Sequence, residues 1–368
     1  MSDRRFRALR ARLALLPALL LASGCGFASL EVYGVAVGSG PQPVVVAGAQ
    51  TIREGCGPRN SSGSYLVGWT IGGEPPSRAP WAFQVATHSR VVPKRIVAPR
   101  GAPTLVVWHE QPEEGYTWQW HGDEDQFRTL DGSVTPHFSQ EVAVVALGAG
   151  YAFLLPDAVV AVTVAGKERF RRPLPVAPEQ CEGNLAGRTS IAAAWDGSAV
   201  AASVSCADGV HIMGLRVDGT ELWPPRTIAP SHALTPRPTY LAVDAPVLVV
   251  REDGAAVVQR RCTIDARGAQ ADLPAGISVL AGSKGRWLIT SQNGEVAVAD
   301  DQGVAVTRTF KPPFETSFAG DERGFIAAGY DSGRDCIGVT RIGLDGTPTA
   351  LACFDLRAEV PQAPCTGA

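Results

Sequence analysis

Apolar residues in this chain fall into short runs, separated by polar or glycine-bearing turns, and the runs recur at a near-constant distance. The clearest are Tyr65–Trp69, Thr104–Trp108, Tyr151–Leu155, Ala199–Ser203, Val247–Arg251, Trp287–Ser291 and Phe325–Gly329. Their first residues are 39, 47, 48, 48, 40 and 38 positions apart. Apolar runs of this length, bounded by turn residues, read as strands rather than helices. Most are preceded by a turn such as Asp196-Gly197-Ser198 or Lys284-Gly285, and several of those turns by another apolar strand, as at Ile191–Trp195. A further strand and a second turn follow, best seen at His211–Arg216 before Asp218-Gly219-Thr220 and at Ile337–Ile342 before Asp345-Gly346-Thr347. Asp-Gly suits a two-residue hairpin turn, in which both residues take positive φ.

The repeating unit is therefore strand, turn, strand, loop, strand, turn, strand, the size of one four-stranded propeller blade. Seven units over residues 47–358 predict an all-β fold, a seven-bladed β-propeller of four-stranded blades, the count open by one. Two stacked β-sandwiches also fit evenly spaced strands, but the regular period favours the propeller. The unit at 190–222, Ala-Trp-Asp-Gly followed by Arg-Val-Asp-Gly-Thr, resembles repeats of secreted bacterial propeller proteins. Leu30–Val37 alternates and is a candidate closing strand or an edge addition. Residues 25–46 are then a short tether that includes this strand, and 359–368 a C-terminal tail.

The N-terminus has a different pattern. Arg4, Arg5, Arg7, Arg10 and Arg12 precede the apolar run Leu13–Leu21, which is too short to span a bilayer comfortably. Leu21-Ala22-Ser23-Gly24-Cys25 follows, and resembles the lipobox of bacterial lipoproteins. The resemblance implies a signal peptide over 1–24, cleavage before Cys25 and acylation of its thiol. Gly26, rather than Asp, follows the cysteine, which by the same resemblance implies the outer membrane of a Gram-negative bacterium. The chain departs from the pattern in having Ala22 where Leu is usual, and cleavage elsewhere, for example after Ala28, would release a soluble protein.

Without residues 1–24 the chain holds 28 basic and 35 acidic residues, a net charge of −7. That balance argues against nucleic acid or anionic lipid as a partner and leaves the lipid at Cys25 as the membrane contact. Besides Cys25, seven cysteines remain, and an exported compartment permits disulfides. Cys336 and Cys353 flank a hairpin whose midpoint is Asp345-Gly346, which makes them the first pair, and Cys181 with Cys206 the second. Cys56 with Cys365 would clip the two ends together, leaving Cys262 as a buried thiol.

No catalytic motif stands out. The six histidines are scattered, no C-x-x-C, H-E-x-x-H or G-x-S-x-G occurs, and no cofactor or metal is implied. One segment is unusual: Trp108–Asp125 concentrates three Trp, one Tyr, two His and six carboxylates. Trp118 and Trp120 would face one side of a strand, a platform for a sugar or peptide, with His121, Asp123 and Asp125 beside them. The acids Asp123, Glu124 and Asp125 also suggest calcium, although their order is not that of an EF-hand loop. Packing of the tryptophans between blades is the plainer alternative.

The sequence thus points to a lipid-anchored, extracytoplasmic propeller that binds or scaffolds another envelope protein. A carbohydrate-binding protein, or a polysaccharide-acting enzyme using residues 108–125, is the alternative.

Overall fold

The structure is a computed structural model that describes residues 28–38, 43–53, 61–71, 81–86, 89–100, 103–114, 117–118, 126–129, 143–181, 188–194, 196–206, 208–228, 237–242, 247–253, 258–264, 270–273, 278–290, 294–299, 307, 312 and 317–359. It is all-β, apart from a turn of 3-10 helix at Pro178–Gln180 and a final helical turn, α1 (Leu356–Glu359). No helix among the described residues is long and apolar enough to cross a membrane.

The strands form antiparallel sheets in chain order. The first holds β1 (Ala28–Gly38), β2 (Val44–Arg53), β3 (Ser61–Thr70) and β4 (Trp81–Ala86). In the second, β5 (Ser89–Val97) pairs with β6 (Leu105–Glu114), which carries both β7 (Thr117–Trp118) and β8 (Gln126–Thr129). The third is β9 (Ala143–Ala146), β10 (Gly150–Leu154), β11 (Ala158–Thr163) and β12 (Glu168–Pro173). The fourth is β13 (Arg188–Ala193), β14 (Ala199–Cys206), β15 (Gly209–Arg216) and β16 (Glu221–Ile228). The fifth is β17 (Arg237–Ala242), β18 (Val247–Asp253), β19 (Val258–Ile264) and β20 (Gln270–Leu273). The sixth shows β21 (Ser278–Ser283), β22 (Arg286–Thr290) and β23 (Val296–Ala299). The seventh is β24 (Ser317–Asp321), β25 (Gly324–Asp331), β26 (Cys336–Gly343) and β27 (Pro348–Asp355).

Burial explains the sequence pattern. In the third sheet β10 is buried at every position and β11 at all but its last, whereas β12 is exposed at all but Phe170. A middle strand covered on both faces by neighbouring sheets reads as an unbroken apolar run, and an outer strand reads as polar. Six of the seven recurrent runs are the second strands β6, β10, β14, β18, β22 and β25. The run at Tyr65–Trp69 differs: it lies in the third strand, β3, because β1 supplies the first strand and β2 the second.

Each sheet packs on the next through its first strand, in the order β1, β5, β9, β13, β17, β21, β24, and β24 returns to β1. Such an order is of the propeller type. Leu30–Val37 does not pair with the last sheet; its hydrogen-bonded neighbour is β2. First and last sheets meet instead through side chains. Trp69 stacks on Phe354 at 4.9 Å between ring centroids, within a core shared by β2, β3, β25, β26 and β27. The Ser317 hydroxyl adds a 2.7 Å hydrogen bond to the Val35 carbonyl.

The Asp-Gly turns differ from the two-residue form expected. Gly219 and Gly346 have φ of 82° and 79°, while neither Asp218 nor Asp345 is in the positive-φ region. Gly219 N donates to Arg216 O (2.9 Å) and Gly346 N to Gly343 O (2.8 Å), so each loop is a turn followed by a left-handed glycine. The aspartates are needed for their side chains. Asp218 Oδ1 accepts from Thr220 N at 2.9 Å and Thr220 Oγ1 at 2.6 Å. Asp345 accepts from Thr347 N at Oδ1 (3.0 Å) and from Thr347 Oγ1 at Oδ2 (2.9 Å).

Both leading cysteine pairs are disulfide-bonded. Cys336 and Cys353 lie on the adjacent strands β26 and β27 with Cα atoms 5.5 Å apart. Cys181 and Cys206 are joined with Cα atoms 4.7 Å apart. Cys56 and Cys365 lie outside the described residues.

Candidate functional site

The meander gives the molecule two ends of different character. One end carries the turns between first and second and between third and fourth strands, including Asp218-Gly219 and Asp345-Gly346. Adjacent sheets touch there: Gly148 N donates to Gly197 O at 2.8 Å between two turns, and Arg172 Nε on β12 donates to Gly219 O at 2.9 Å. The opposite end, here the linking face, carries the second-to-third strand connections and the crossings between sheets. It holds both disulfides of the described residues, the β25–β26 connection with its Tyr330–Asp335 hydrogen bond (2.7 Å), and a hairpin extension on the second sheet.

That extension is the upper part of β6. Arg90 of β5 pairs in register with Gln111, and Ser89 with Pro112. Beyond the end of β5, β6 continues and pairs Glu113 with Trp118 and Glu114 with Thr117. Trp118 therefore sits on a short ladder projecting past the second sheet. Trp120, His121, Asp123 and Asp125 lie outside the described residues, as does Cys25. Trp108, at the base of the same segment, is 6% exposed and packs with Val91, Val106 and Leu66, so it is core.

At the foot of the ladder, β1 and β5 assemble a polar cluster. The register of β1 on β2 shifts between Val32 and Gly34, leaving Tyr33 as the bulged residue. A bulge re-aims its side chain. Across from it, Gly48 admits the neighbouring strand: a Cβ there would stand 1.9 Å from the Val91 carbonyl oxygen. This close approach brings Arg90 over Tyr33, its guanidinium carbon 4.6 Å from the ring centroid, a cation–π contact. The Tyr33 hydroxyl donates to the Glu31 carboxylate and stands 2.8 Å from Gln50 Oε1, and Gln50 is buried.

Burial first, and then the hydrogen bond from Tyr33 to Glu31, push the tyrosine up from 10.0 to about 12. At neutral pH the phenol is thus a fixed donor and not a base or nucleophile. Cation, phenol, carboxylate and amide are thus brought together where β1, β2 and β5 meet. Nothing in residues 30–90 beyond the apolar alternation of β1 marks this cluster in the sequence, because Tyr33 and Arg90 meet only through the packing of two sheets.

A separate group lies on the fourth sheet, where Cys206, Asp208 and His211 bring ligand-capable atoms within 4.8 Å of one another.

No family model matches the chain, and no curated protein does. Solved structures similar to it include apo AztD from Citrobacter koseri, at 10% identity over 89% of this chain and 97% of that one, with a TM-score of 0.39. Saccharomyces cerevisiae Sqt1 is similar at 13% identity over 88% of each chain, with a TM-score of 0.40. BBS1N, in its complex with ARL6DN, is similar at 12% identity over 74% of this chain and 85% of that one, with a TM-score of 0.37. Likenesses this distant carry no argument about what the chain binds.

Proposed function

We propose that this chain is a lipid-anchored, extracytoplasmic seven-bladed β-propeller that binds an envelope protein through its linking face. The observation that carries the reading is the concentration of irregular, polar structure on that face. The Tyr33–Glu31–Gln50–Arg90 cluster stands there beside the projecting β6–β7 ladder, while the opposite face is built of repeated, self-satisfied turns. A rigid ring with variable loops at one end is a binding architecture. The cyclic contact of first strands supports closure of the ring with seven blades.

The lipobox-like segment supports the anchor. β1 begins at Ala28, at the linking end, three residues after Cys25. Three residues reach no further than about 10 Å. An acylated Cys25 would hold the linking face against the bilayer surface, within reach of a membrane-embedded partner.

A carbohydrate ligand is the second reading, favoured by the placement of Trp118 on the ladder beyond Arg90. Crosslinking in cells followed by mass spectrometry, comparing the native chain with Cys25→Ala, tests both. An envelope-protein partner that is lost in Cys25→Ala supports the first reading. The absence of any protein partner in either form overturns it and leaves glycan arrays as the assay for the second.

A further inference from the structure

Cys206 ends β14, and its sulfur is bonded to that of Cys181, just after the turn at Pro178–Gln180. Asp208 and His211 follow where the chain turns into β15. His211 Nε2 is 2.9 Å from Asp208 Oδ1, and its Nδ1 is 3.0 Å from Thr227 Oγ1 on β16. Thr227 thus fixes the imidazole from behind, as outer-shell partners orient ligating histidines. Among the described residues, no other three His, Cys, Asp or Glu side chains converge in this way. In the oxidised chain the Cys206 sulfur carries no thiolate charge, and the Asp208–His211 contact satisfies the remaining groups.

We propose that the Cys181–Cys206 disulfide masks a transition-metal site, and that the reduced chain binds one zinc-class ion through Cys181 Sγ, Cys206 Sγ, His211 Nε2 and the Asp208 carboxylate. Two thiolates, an imidazole and a carboxylate form a tetrahedral donor set suited to zinc. A dithiol reductant delivers two electrons and two protons, the S–S bond breaks, and the reductant leaves as its own disulfide. The metal then displaces the two thiol protons, while the imidazole proton rests on Nδ1 and is donated to Thr227 Oγ1. The sulfurs must part to about 3.8 Å, the edge of a tetrahedron with metal–sulfur bonds of about 2.3 Å. Cys181 can move because it lies in a connection between sheets and not in a ladder. The same four residues thus hold either a cross-link or a metal, and the redox state selects which.

The test is titration of the full mature chain with Co²⁺ and Zn²⁺ before and after reduction, in a background with Cys25, Cys56, Cys262, Cys336, Cys353 and Cys365 replaced by Ser, so that Cys181 and Cys206 are the thiols reported. The reduced chain is expected to bind one Co²⁺ with thiolate charge-transfer and tetrahedral d–d absorption, displaced by Zn²⁺, and the oxidised chain none. His211→Ala and Cys206→Ser should each weaken binding at least tenfold. Asp208→Asn, at an exposed position, carries the comparison if either fails to fold. Absence of Co²⁺ absorption after reduction, or equal binding by these variants, overturns the proposal.

Discussion

At the residue scale, the Asp-Gly-Thr turns carry much of the local order. Thr220, by its side chain first and its backbone N–H second, holds the Asp218 carboxyl below its ordinary range, and Thr347 does the same for Asp345, its backbone N–H first. The glycine is fixed by conformation and by space: a Cβ on Gly219 would stand 2.7 Å from the Phe170 ring of the preceding sheet. Gly219→Ala should therefore cost about 2–4 kcal/mol, positive φ and overpacking together. Gly285→Ala, with φ of 70° and nothing within 4 Å, should cost only the conformational part, about 1 kcal/mol. Urea unfolding of the two variants checks the difference. Tyr33 makes a prediction about pH. Its folded value of about 12 lies above the ordinary 10.0, so its contribution to stability is complete below pH 10 and is lost as pH rises toward 12. The difference in tyrosinate absorbance between the native protein and Tyr33→Phe should titrate near 12. A difference titrating near 10 would mean the phenol is neither buried nor held by Glu31. The Asp-Gly positions were legible in the sequence, but the turn type was not, because the carboxylate-to-threonine hydrogen bonds decide it over the intrinsic preference of the dipeptide.

At the scale of the element, the recurrent apolar runs were readable because second strands are covered on both faces. The Cys336–Cys353 hairpin was readable because the two cysteines flank one turn on adjacent strands, although the register sets Cys353 opposite Gly338, two residues from Cys336. The first sheet was less so. Its third strand, Tyr65–Trp69, is as apolar as the second strands elsewhere, since the seam with the last sheet buries it against Phe354 and Ile337. That seam holds the Trp69–Phe354 stack at the centre of a shared core, with the Ser317–Val35 hydrogen bond beside it. Trp69→Ala should lower stability by about 3–5 kcal/mol, measured by thermal or urea unfolding, because the indole is fully buried. A loss under 1 kcal/mol would show that the first and last sheets do not depend on each other. The bulge at Tyr33 had no signal in the sequence, since a register shift depends on the partner strand and on the carbonyl that enters above Gly48.

For the whole molecule, the spacing of runs foretold a set of meander sheets, and the structure adds their cyclic contact and the difference between the two faces. The Tyr33–Arg90 cluster stayed hidden because it forms between sheets whose relative placement no local pattern specifies. Its proximity to the Trp118 ladder makes the linking face the proposed site of binding. The most direct test is site-specific photo-crosslinking in cells, with the photoreactive residue placed at Arg90 or Trp118 on the linking face and at Asp218 or Asp345 on the turn face. Adducts from the first pair and none from the second are the expected result. Adducts confined to Asp218 and Asp345 would contradict the assignment of the binding face.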